Sequence, residues 1–106
     1  MKVKLENREY ELKANGRFLL KYKEIFHQNA VADLYKCLNE HDVVLAQMLT
    51  YCAIGEEMPF EEWLDSFETP LFILPCMEEI IEYLVRSVNP TVAPNSKSSD
   101  EKKTTN

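Results

Sequence analysis

Glycine is nearly missing from this chain: Gly16 and Gly55 are the only two in 106 residues. That excludes a glycine-rich loop able to cradle a phosphate. Cysteine is sparse, and Cys37, Cys52 and Cys76 are widely spaced and odd in number. A secreted disulfide framework carries a denser, even set, so all three are expected as free thiols among apolar neighbours. No apolar run nears the roughly 20 residues that span a bilayer. The opening "MKVKLENREY" is charged and alternating, unlike a secretory signal, and the expected location is the cytoplasm.

Bases are scarce through the middle of the chain. Between residues 33 and 82 Lys36 is the only one, surrounded by Asp and Glu, whereas Lys2, Lys4, Arg8, Lys13, Arg17, Lys21 and Lys23 crowd the first two dozen residues. The net charge is -6. An acidic body repels a phosphate backbone, which argues against nucleic-acid binding. Poles of opposite sign would steer a basic partner to the acidic end or favour head-to-tail self-association; two solvated faces are the plainer alternative.

What is present is mostly helical. Val3 and Leu5 alternate with Lys2 and Lys4, and Tyr10 and Leu12 with Glu9, Glu11 and Lys13, which predicts two short strands. The turn is expected around Glu6-Asn7-Arg8, with Asn7 taking the positive φ of a tight hairpin. A hairpin alone is marginal in water, so its apolar face should lie on helices while its edges stay open to other chains. Asn15-Gly16 can cap a helix whose stripe is Phe18, Tyr22, Ile25 and Phe26; Gln28-Asn29 interrupts it, and Val31, Leu34, Tyr35 and Leu38 resume it. Asp42 suits an N-cap for "VVLAQMLTYCAI", apolar but for a narrow strip of Gln47 and Thr50, and Gly55 ends that helix.

After Pro59, Phe60, Trp63, Leu64 and Phe67 recur at helical spacing among Glu61, Glu62, Asp65 and Glu68. Thr69-Pro70 is expected to open another helical stretch that Pro75 kinks or restarts, and Met77, Ile80, Ile81, Leu84 and Val88 carry the last helix. The fold class is therefore mainly α (α+β): an N-terminal hairpin packed on about four to five helices, a single domain over residues 1–89. "PTVAPNSKSSDEKKTTN" has scarcely an apolar residue, and a disordered tail is expected over 90–106.

The chemistry-bearing residues are few. Cys37 and His41, four apart, supply raw material for a thiol–imidazole pair or half a zinc site with His27 or Cys52, yet no second close Cys/His pair and no oxyanion donor accompanies them. Glu56-Glu57, Glu61-Glu62 and Glu78-Glu79 read as solvated helix surface. No catalytic residue, cofactor or metal is expected. The reading is a protein-binding domain.

The stretch "MKVKLENREYELKANGRFLLKYKEI" followed by an acidic helical body and a loose tail resembles the tail assembly chaperones of long-tailed bacteriophages and prophages. Members often place glycine in the turn where this chain has Glu6-Asn7-Arg8. The resemblance implies a non-enzymatic chaperone in the host bacterial cytoplasm, absent from the mature virion. It would bind the tape measure protein, and major tail protein as a further partner, during virion assembly. It also implies a longer form made by frameshifting, for which codons at Lys102-Lys103 are the place to look. The expected partner surface is Phe60, Glu61, Glu62, Trp63, Asp65, Phe67 and Phe72, together with exposed parts of the row from Leu71 to Leu84, receiving amphipathic basic helices. The same rows are equally suited to a plain core. Self-association through hairpin edges, with neither nucleic acid nor membrane as partner, completes the expectation. Two readings stay open beside it: a generic bacterial adaptor or regulator, and a small metal or thiol protein centred on Cys37 and His41.

Overall fold

The computed structural model describes residues 1–89; the tail expected over 90–106 lies outside the described residues. The chain forms β1 (Lys2–Leu5), β2 (Arg8–Glu11), α1 (Gly16–Phe26), α2 (Ala30–Glu40), α3 (Val43–Ile54), α4 (Phe60–Asp65) and α5 (Leu74–Val88). The strands pair antiparallel, with Val3 opposite Tyr10 and Leu5 opposite Arg8.

Polar side chains begin the first three helices. Asn15, Asn29 and Asp42 each accept a hydrogen bond from a backbone N–H three residues on, satisfying an amide that the helix itself leaves unpaired. With so little glycine, the left-handed position that closes a helix falls to histidine twice. His27 ends α1 at φ 59 and His41 ends α2 at φ 55, and each donates its backbone N–H to the carbonyl four residues back. Gly55 does the same work after α3 at φ 69.

The central helix is α3, buried nearly all round as its composition demands. Its expected polar strip is not solvated. Gln47 is buried and donates to the Pro70 carbonyl at 3.0 Å, and Thr50 is fully buried. Helices α1 and α2 pack along α3, while α5 covers both α2 and α3. On α2 the core takes Ala30, Leu34 and Cys37, so the face is turned from the expected 31/34/35/38 stripe and leaves Val31 and Leu38 exposed.

Trp63 is the centre of the other half of the core. Tyr10, Tyr51, Phe60, Phe67 and Phe72 surround it with ring centroids between 5.1 and 6.4 Å away. Phe60 stacks on Trp63 and the other four rings meet it edge-on or tilted, arrangements that match the charge distribution of aromatic faces and rims. The hairpin lies over this cluster and along α5, burying Val3, Leu5 and Leu12. Lys13 N–H donates to the Ala53 carbonyl at 2.9 Å, and Tyr83 Oη donates to the Leu12 carbonyl at 3.2 Å.

Two expectations about this region are corrected. The positive φ of the turn belongs to Glu6, at 56°, rather than to Asn7. The stretch from Thr69-Pro70 is a set of turns, and helix resumes only at Leu74, where Pro75 occupies the first turn. One contact ties the two places together. The Glu6 carboxylate accepts from the backbone N–H of Glu68 and from the N–H and Oγ1 of Thr69, at 3.0 to 3.2 Å. Those amides are thereby engaged by a side chain from the hairpin, and a non-glycine residue in the left-handed region is held by three long-range donors.

Candidate partner-binding surface

The residues marked by the sequence as a binding row divide between inside and outside. Trp63, Phe67 and Phe72 are buried, and Phe60 is half-buried against Tyr51 and Phe26. They anchor α4, whose six residues present Glu61, Glu62 and Asp65 to solvent. The arginine of the hairpin completes the anchor: the Arg8 guanidinium lies 4.3 Å from the Phe67 ring centroid and donates to Ser66 Oγ and the Ser66 carbonyl. The outer face of α4 is thus acidic, with its large apolar side chains turned inward.

Of the exposed apolar side chains, Leu20, Ile25, Leu38 and Leu74 line two grooves, while Val44 and Leu71 line neither. One, of about 640 Å³, runs between α1 and the end of α3 and includes Leu20, Ile25 and Ile54. Its charges are mixed: Lys13, Arg17 and Lys21 face Glu24 and Glu57. Lys21 is already engaged, donating to the Glu56 carbonyl at 2.5 Å and lying 5.0 Å from the Tyr51 ring centroid.

The second groove, of about 250 Å³, lies where the end of α2 meets the start of α5. Met77 and Ile81 form a buried floor beside Cys37. Leu38, 39% exposed, and Leu74, 47% exposed, form the walls. The rim carries Glu78 and Glu82 with His41. Leu74 belongs to the row expected from residue 71 onward, but Leu38 does not. It was placed on the buried stripe of α2, and only the turn of that helix toward Ala30 and Cys37 brings it to the surface.

Cys37 and His41 both line this groove. The thiol is buried and donates to the Asp42 carbonyl at 3.4 Å; burial, and then the negative charge of Asp42, push it up to about 11. A thiol held protonated is a poor nucleophile and a poor metal ligand. Burial likewise pushes the Cys52 thiol up to about 12. Among the described residues no three His, Cys, Asp or Glu side chains are gathered so as to hold a metal ion. No helix there is long and apolar enough to cross a membrane.

One point on the outer edge of β1 is engaged within the chain. Cys76 Sγ donates to the Lys4 carbonyl at 3.4 Å, so α5 occupies the edge of β1 at that point. Comparison with protein-family models, with curated proteins and with solved structures returns no match to this chain.

Proposed function

We propose that this chain is a non-enzymatic tail assembly chaperone of a long-tailed phage or prophage, holding the tape measure protein, with major tail protein as a second partner, in the host cytoplasm during virion assembly. The likeness of the N-terminal segment to that family suggests it. The observation that carries it is the acidic helical surface broken by a groove with leucine walls and a glutamate rim. Such a surface is suited to reversible contact with an amphipathic, basic protein and needs no nucleotide.

Co-expression tests the reading directly. The long tape measure protein from the same genome should remain soluble and co-purify with this chain, and should aggregate without it. A tape measure that is equally soluble alone, or that does not co-purify, overturns the proposal. Gene order is a second check: the reading expects this gene between a major tail protein gene and an exceptionally long one. A position remote from tail genes would favour the adaptor reading.

A further inference from the structure

We infer that the α2/α5 groove is the docking site, and that its occupant is a basic amphipathic helix laid between Leu38 and Leu74. This assignment rests on the chaperone reading for the identity of the partner, and on the groove itself for the partner's chemistry. Three observations support it. Leu38 and Leu74 stand on two packed helices, α2 and α5, on either side of a floor made by Met77 and Ile81, so apolar anchors one turn apart on a helix face have somewhere to go. Glu78 and Glu82 are one turn apart on α5 and both line the groove, so lysines or arginines flanking those anchors meet carboxylates. The larger groove beside α1 offers no such selection, because its lysines and arginine are mixed with Glu24 and Glu57 and Lys21 is occupied.

The division of labour follows from the chemistry. Apolar contact in the groove holds the helix, and the rim carboxylates choose its charge and speed its arrival. The acidic face of α4 contributes only a long-range field. Binding should therefore weaken as salt is raised, without vanishing.

The test uses the full chain and a fluorescent amphipathic peptide of leucine and lysine, long enough for several helical turns, read by anisotropy. Leu38→Ser combined with Leu74→Ser alters only exposed side chains, and should weaken binding about tenfold or more. Glu78→Lys combined with Glu82→Lys should do the same. Glu61→Lys combined with Glu62→Lys makes the same change in net charge away from the groove, and should cost only about twofold. Circular dichroism confirms that each variant is folded. Equal binding by wild type and both groove variants, or equal losses from the α4 and α5 charge reversals, overturns the assignment. Co-expression with tape measure separates this inference from the chaperone reading. If wild type and groove variants hold the tape measure equally well, the groove assignment fails and the chaperone survives. If the peptide binds in the groove but wild type does not hold the tape measure, the chaperone reading fails and the groove survives.

Discussion

Glu6 Oε2 accepts both the backbone N–H and the hydroxyl of Thr69, 63 residues further along the chain, at 3.1 and 3.2 Å. The hairpin turn and the loop before the last helix are thereby one unit. Hydrogen bonds to its charged form, that from Glu68 N–H foremost, hold the Glu6 carboxyl below its ordinary 4.5. A depressed folded-state value means that the stabilisation is complete above the unfolded value and is lost as pH falls through the folded one. Glu6→Gln should therefore lower the urea midpoint near neutrality, and the gap from wild type should close as the solution is acidified below about pH 4. A gap independent of pH would show that the charge is idle.

The backbone at the same residue gives a separate comparison. Glu6→Ala and Glu6→Gly both lose the carboxylate, but only glycine is at ease at φ 56. Glycine should be the more stable of the two by about 1 kcal/mol in denaturant titration.

Thr50 is fully buried and its Oγ1 has no hydrogen-bond partner among the described residues. A buried hydroxyl without a partner is a cost that the fold carries. Thr50→Val keeps the shape and removes the cost, and is expected to stabilise by about 1 kcal/mol, raising Tm by roughly 4–8 °C.

Trp63→Ala should cost about 3–5 kcal/mol, since it empties the position on which five other rings converge. Trp63 Nε1 also lacks a partner among the described residues, so Trp63→Phe forfeits volume and no hydrogen bond. It should fall well short of the alanine loss in the same chemical denaturation series.

The three thiols should separate by rate. At about pH 8 a disulfide reagent should label half-buried Cys76 first. Cys37 and Cys52, buried and pushed up to about 11 and about 12, should follow only as the protein opens. Fast labelling of Cys37 would revive a reactive-thiol role.

Local signals made most of the fold legible. Alternation marked the strands, Asp42 and Gly55 bracket α3 as read, and the period of Met77, Ile80, Ile81 and Leu84 gave α5. What local pattern missed was decided at long range. Thr69-Pro70 looks helical, yet the chain there is a set of turns docked on the hairpin, where Glu6 accepts from the amides of Glu68 and Thr69. Val31 and Leu38 look buried until Cys37 claims the core. The same limit applied to the surface. The spacing of Phe60, Trp63 and Phe67 shows that they share a face, but whether that face meets this chain's own core or another protein depends on what lies opposite. The groove between Leu38 and Leu74 is a property of two helices meeting, and no single helix contains it.

The hairpin comes before nearly everything that secures it. Its partners include Ser66, Glu68, Thr69, Cys76 and Tyr83, so the two strands must wait, with Leu5 and Leu12 incompletely covered, until much of α5 has been made. Closing a loop of that length makes it a late event. The helices can gather beforehand, but the hairpin can complete the domain only after most of it exists.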